Sequence, residues 1–134
     1  MLRTAWLSLL LLVPTAGVAA DADCTQAPNQ MEANACAAQT FAQADAELNR
    51  RYAALRDKLD GNGRHNLVAA QRAWIIFRDL ECNLRTGYDA TAPEANGTIA
   101  PLLQAACRTQ LTRQRSGDLA AQVRCPGGDL ACAP

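Results

Sequence analysis

The stretch Ala70-Gln71-Arg72-Ala73-Trp74-Ile75-Ile76-Phe77-Arg78-Asp79-Leu80-Glu81-Cys82 decides the fold class. Its apolar residues do not alternate as a half-buried strand requires. Extended to Arg64 and Thr86, the segment places Leu67, Ala70, Trp74, Phe77 and Leu84 at three- and four-residue steps, the spacing of one helix face, and Ile76 and Leu80 widen that stripe. A stripe so broad is expected to be substantially buried.

Helical periodicity continues on both sides. Upstream, from about Asn29 to Asp60, Met31, Ala38, Phe41, Leu48, Tyr52, Leu55 and Leu59 recur at helical spacing, and Gly61-Asn62-Gly63 is the expected terminator because both residue types accept the left-handed backbone. Downstream, Gly87 to Gly97 form a polar connection, long for a helix pair. A third helix is expected to open near Thr98, to tolerate Pro101 in its first turn and to turn Leu103, Ala106, Cys107 and Leu111 inward. Its pattern fades around Gly117 to Val123. No segment reads as a sheet, so the expected fold is all-α, a small antiparallel bundle of about three helices.

The N-terminus reads as an export signal, residues 1–20. Arg3 supplies the positive start, Ala5 to Val13 are nearly all apolar, and Val18-Ala19-Ala20 offers small residues for cleavage before Asp21. Pro14 and Gly17 interrupt the apolar run, which falls short of the roughly 20 residues of a spanning helix, so stable membrane insertion after cleavage is not expected. Cys24 follows Asp21-Ala22-Asp23 instead of standing at the cleavage point, which argues against a lipid anchor. Taking 20 residues from 134 leaves 114, residues 21–134, the size of one domain. Losing Arg3 leaves 12 basic residues against 13 acidic ones, a formal charge of minus one. That balance creates no field suited to nucleic acid.

Six cysteines behind an export signal point to disulfides in an oxidising compartment, periplasmic or secreted. They allow fifteen pairings, among which sequence does not choose. If the second and third helices are antiparallel neighbours, Cys82 and Cys107 can meet side by side. Cys24 would then fold back onto Cys36, and Cys125 would pair with Cys132 to close a short C-terminal loop. At about 5% of the exported chain, cysteine reinforces an apolar core instead of replacing it. With no Cys-x-x-Cys and a single histidine, metal-ligand spacing is missing, and no cofactor motif is present.

Polar residues placed inward by helical spacing are the most specific internal detail. Asp45, Asn49 and Tyr52 follow one another on the face of Phe41 and Leu48, while Gln71, Trp74, Arg78 and Cys82 form a matching stripe on the second helix. A carboxylate facing a guanidinium across two helices would make a bidentate, register-fixing contact. The structural reading is a buried network of Asp45, Asn49, Gln71, Arg72, Trp74 and Arg78. The functional one is a groove presenting Arg72 or Arg78 to a partner.

Together with Met31-Glu32-Ala33-Asn34-Ala35-Cys36-Ala37, Ala44-Asp45-Ala46-Glu47-Leu48-Asn49 and Leu111-Thr112-Arg113-Gln114-Arg115, the segment from Ala70 to Cys82 resembles the bacterial LprI-like family, named for a lysozyme inhibitor. The resemblance covers about Cys24 to Leu119. It implies an exported helical domain with two disulfides matching Cys24, Cys36, Cys82 and Cys107, to which Cys125 and Cys132 are an addition. Where family members often carry Gly-Gly-Ser before the third helix, this chain has Asn96-Gly97-Thr98, which preserves turn and capping chemistry.

The resemblance implies a lysozyme as protein partner. A braced body would present a loop to the enzyme's cleft and exclude polysaccharide from its two carboxylates. Donors for those carboxylates would come from Arg64, His65 or Tyr88, and Asp89 and Glu94 make the long loop locally acidic, which favours encounter with a basic enzyme. The alternative is an envelope interaction or stress module with another protein or cell-wall partner. An exposed apolar patch on the body would favour a flat protein partner, and an ordered protruding loop would favour cleft insertion. Catalysis is not expected. His65 is the only histidine, Ser116 is the only serine beyond the signal, and Asp79 and Glu81 fall on different helix faces.

Overall fold

In the computed structural model, residues 23–125 are described; the expected signal segment and Cys132 lie outside them. Three long helices run up, down and up: α1 (Gln30–Lys58), α2 (Gly61–Thr86) and α3 (Ala100–Arg124). Short 3-10 turns at Cys24–Gln26 and Pro93–Asn96 precede α1 and α3. Among the described residues there is no strand. The parallel pair α1 and α3 shares the largest interface, α2 packs mainly on α3, and α1 and α2 barely touch.

Local chemistry sets the helix starts. Asn29 Oδ1 accepts from Glu32 N and Asn29 Nδ2 donates to Glu32 Oε1, both at 2.9 Å, a reciprocal side-chain cap. Asp60 Oδ1 accepts from Gly63 N at 2.7 Å and caps α2. Consequently Gly61-Asn62-Gly63 is the first turn of α2 and not the end of α1, as the sequence had implied. Leu59 and Asp60, both extended, make the break, and an aspartate cap outweighs the weak helix preference of two glycines. Gly63 also allows close packing, since a Cβ there would stand 3.0 Å from the Leu59 side chain. Gly87, at φ 69°, closes α2 in the left-handed region. α3 begins two residues later than expected and has no side-chain cap; Pro101 lies in its first turn, and the Thr98 carbonyl accepts from Asn34 Nδ2 at 2.9 Å.

Large apolar side chains fill only one end of the bundle. Leu48, Leu55, Leu67 and Leu119 form the core there, with Tyr52, Leu59, Trp74 and Val123 against it. Towards the other end the buried positions shrink to Ala33, Ala37 and Ala44 on α1 and Ala100, Ala105 and Thr109 on α3, sizes that let two parallel helices approach closely, and the one larger buried residue there is the polar Gln104. This end carries both described disulfides, Cys24–Cys36 and Cys82–Cys107. Covalent links thus brace the part of the molecule with the least hydrophobic burial. Cys125 is also in a disulfide.

Of the expected apolar stripe of α2 only Leu67 and Trp74 face inward, together with the polar stripe of Gln71, Arg78 and Cys82; the rest is overturned. The buried residues of α2 are Leu67, Gln71, Arg78 and Cys82. At 100° per residue these share one face, and Ile76, Phe77, Leu80 and Leu84 fall on the opposite one. Those four are 62, 52, 63 and 77% exposed. The reason is packing geometry: α2 lies against the α1–α3 pair with one face, mainly on α3 and through Leu67 and Arg78 on α1, so its other side faces outward. Met31 and Ala38 of α1 and Leu103 and Ala106 of α3 are likewise exposed, because the close α1–α3 contact selects small residues at other positions.

Candidate functional site

The sequence-predicted contact residues lie at opposite ends of α2. Arg64 and His65 stand in its first turn, while Tyr88, Asp89 and Glu94 belong to the connection after its last. A helical rise of 1.5 Å per residue separates the two groups by about 36 Å. They cannot enter one narrow cleft together. Arg64 Nε donates at 3.1 Å to the Arg56 carbonyl near the end of α1, which also accepts from Leu59 N at 3.3 Å. His65 is exposed.

The connection of residues 87–99 folds into a knob held by two side chains. Asp89 Oδ1 accepts from Thr91 N at 2.8 Å, Thr91 Oγ1 at 2.6 Å and Ala92 N at 3.3 Å. Asn96 binds back across the loop: its Oδ1 accepts from Asp89 N at 2.7 Å, and its Nδ2 donates to the carbonyls of Asp89, Pro93 and Ala92 at 2.9, 3.0 and 3.3 Å. The Thr91 hydroxyl, then the Thr91 and Ala92 amides, hold the Asp89 carboxyl below its ordinary pKa against a small opposing effect of burial. This bonding supplies what a polar loop lacks in apolar contacts. At the base of the knob, Thr86, Gly87, Tyr88, Asp89, Asn96 and Leu103 line a shallow depression of about 290 Å3. Glu94 is exposed on the outer side of the loop.

A polar cluster occupies the middle of the bundle. The Arg78 guanidinium, with its side chain 9% exposed, lies 5.2 Å from the Phe41 ring centroid and 5.4 Å from that of Trp74. Its Nη1 reaches Asp45 Oδ1 across the helices at 3.7 Å, and its Nε donates to Asp79 Oδ1 at 2.9 Å. The cross-helix contact is therefore single and long, and the tight partner is the neighbouring residue. Asn49 Nδ2 donates to Asp45 Oδ2 at 3.1 Å, and Arg115 Nε to Gln71 Oε1 at 3.2 Å. Burial pulls the Arg115 guanidinium below its ordinary pKa, against an opposing pull from Asp118. Arg72 is exposed and stands apart from this cluster.

Several participants were missed in the sequence. Asp79, besides Arg78, lies 3.2 Å from Arg108 Nε, an ion pair by distance whose alignment is too poor for a hydrogen bond. Gln104 Nε2 joins α3 to the end of α2 by donating to Thr86 Oγ1 at 2.7 Å and the Cys82 carbonyl at 3.3 Å. Its position three residues before Cys107 is the one sequence clue, because a helix turn separates it from the disulfide.

Among the described residues no group of three His, Cys, Asp or Glu side chains could hold a metal ion. No helix among them is long and apolar enough to cross a membrane. Residues 20–119 match the family described as Lysozyme inhibitor LprI. The chain belongs to that family. An uncharacterised protein of Rhizobium meliloti (strain 1021) is 37% identical over 128 residues, covering 84% of this chain and 88% of that one. No solved structure matches. The match covers all of α1 and α2 and α3 as far as Leu119, so in this LprI member it takes in the two described disulfides, the Arg78 cluster and the knob.

Proposed function

We propose that this LprI member is exported and inhibits a lysozyme by protein–protein binding, with the 87–99 knob as the element that enters the cleft. The observation that carries this reading is the internal bonding of the knob through Asp89 and Asn96. A loop already fixed in one shape loses little conformational entropy on binding, which is where loop-based inhibitors gain affinity. Disulfides that persist only outside a reducing cytoplasm support the export part of the reading.

Within the knob the roles differ. Tyr88 brings a phenol that can donate to a catalytic carboxylate. Glu94, exposed on the outer side, would meet the basic rim of an animal-type enzyme and speed encounter. Arg64 and His65, about 36 Å away, would stay outside the contact.

The test is a wall-lysis titration with the oxidised mature chain against animal-type and goose-type lysozymes, with reduced protein as control. Saturable inhibition by the oxidised form is expected, weakened about tenfold or more by Tyr88→Phe, equivalent to ~1.4 kcal/mol. Arg64→Ala and His65→Ala should leave it within about twofold, well under that step. Absence of inhibition at concentrations far above the enzyme's would reject the reading for the enzymes tested. Loss of inhibition in Arg64→Ala with none in Tyr88→Phe would move the contact to the other end of the molecule.

A further inference from the structure

The outer face of α2 is the largest unpartnered feature of the molecule. Ala70, Ala73, Phe77, Leu80 and Leu84 are all exposed and follow one another at steps of three and four, the a/d spacing of a coiled-coil seam. Ile76 flanks the seam, which contains no charged residue. Four large side chains at half to three-quarters exposure leave on the order of 300 Å2 of apolar surface. With the alanines added, the stripe approaches the roughly 500 Å2 that forms the apolar share of a standard ~800 Å2 contribution to a stable interface.

We infer that this face is the seam of a two-fold homodimer in which two copies pack α2 against α2 in antiparallel orientation. Three observations select a second copy in this orientation. The seam is graded, small at its N-terminal end (Ala70, Ala73) and large at its C-terminal end (Phe77, Leu80, Leu84). Antiparallel pairing sets Leu84 of one copy over Ala73 of the other and Phe77 over Leu80, filling space that parallel pairing leaves unevenly packed. The ends of α2 also differ in charge. At its C-terminus Glu81, Asp89 and Glu94 outnumber Arg85, while at its N-terminus Arg56, Lys58 and Arg64 outnumber Asp57 and Asp60. Antiparallel copies bring these unlike ends to the same level, whereas parallel copies would set acid against acid. Finally, an uncharged stripe offers nothing to a basic enzyme, and a formal charge of minus one on the exported chain does not oppose self-association.

Sedimentation velocity on the oxidised mature chain between about 1 and 300 µM tests this, since interfaces of this size commonly reach micromolar affinity or better. A reversible monomer–dimer equilibrium is expected. Leu80→Glu should weaken it by tenfold or more while leaving unchanged the thermal melt taken at concentrations where the wild type is monomeric, because Leu80 is solvent-facing in the single chain. Glu94→Lys and Arg64→Glu should each weaken the dimer, and the double variant should recover most of the loss. A wild-type chain that stays monomeric throughout, or that binds phosphatidylglycerol vesicles as a monomer, would overturn the inference. So would a dimer indifferent to Leu80→Glu. Additive loss in the double charge variant would overturn the antiparallel arrangement.

Discussion

Removing the Cys82–Cys107 bridge should loosen α2 selectively and leave the α1–α3 pair largely intact. The bridge closes a loop of 25 residues, for which chain entropy gives a stabilisation of about 3.5 kcal/mol. Against it stand few other attachments. Leu67 is the one large apolar residue that α2 buries fully, worth about 1.5–3 kcal/mol, and the rest of the buried face is Gln71, Arg78 and Cys82 itself. Polar contacts such as Gln104 to Thr86 and Arg115 to Gln71 each add about 1 kcal/mol net. Trp74 against the core and Arg78 between two rings add further contacts, so a loss of about 3.5 kcal/mol is a large fraction of the docking of α2 but not all of it. The variant to make is Cys82→Ala/Cys107→Ala in the otherwise oxidised chain, read by hydrogen exchange resolved along the sequence. Amides in the second half of α2 should exchange on the order of 100- to 400-fold faster, since each ~1.4 kcal/mol is a factor of ten. Those in the middle of α1 and α3 should change by less than about tenfold by the same conversion. Equal acceleration in all three helices would refute this reasoning, because it would mean that the bundle opens only as a unit. No acceleration in α2 would refute it as well.

Other perturbations separate the structural contacts from one another. Arg78→Met should cost about 1–2 kcal/mol in a urea melt: it removes two ring contacts, but Asp45 and Asp79, 43 and 40% exposed, can turn to water and avoid the larger penalty of a fully buried orphan charge. Asp45→Asn, which weakens the 3.7 Å contact and an exposed bond from Asn49, should cost less than about 1 kcal/mol in the same assay. Asp60→Ala should cost about 1 kcal/mol in a thermal melt and Asp60→Asn much less, as the cap to Gly63 needs only a side-chain oxygen. Because the folded-state pKa of Asp89 is depressed, its contribution to knob order is present at neutral pH and is lost as pH falls through that lowered value; amide protection of Thr91 and Ala92 should therefore hold at pH 6 and decline only below the ordinary aspartate range.

Much of the fold was legible because it rests on local rules. Three helices follow from periodicity, Pro101 stands in a first turn as proline prefers, and Gly87 ends α2 in the left-handed region. Cys82 and Cys107 meet because antiparallel neighbours bring a helix end beside a helix start. What was not legible depends on the third dimension. Periodicity shows that Ile76, Phe77, Leu80 and Leu84 share a face, but it cannot say whether that face looks in or out. The rule that apolar stripes are buried fails here because α2 is held by a polar face and a disulfide. Likewise, Arg64 and Tyr88 both read as loop donors, and only the observed length and straight course of α2 place them at opposite ends. The knob left one faint trace, aspartate and asparagine bracketing a proline, whose mutual bonding across seven residues has no periodic signature.

The reversed polarity of α2 gives the molecule its internal logic. A helix whose inner face beyond Leu67 and Trp74 is Gln71, Arg78 and Cys82 gains less from burial than a wholly apolar face would, so specific bonds help to fix its position, and its outer face is not needed for the core. If the outer face is the proposed dimer seam, residues that stabilise and residues that recognise are separated onto opposite sides of one element. The knob extends this division: it is shaped by Asp89 and Asn96 from within, which leaves Tyr88 and Glu94 to vary with the partner. On this arrangement the bridge between Cys82 and Cys107 is more than a general brace. It clamps the C-terminal half of α2, from which both the apolar seam and the knob depart, so reduction should weaken self-association and lysozyme inhibition together even where α1 and α3 stay folded. A reduced chain that retained full inhibition while its α2 amides exchanged freely would break that link and separate the knob from the helix that carries it.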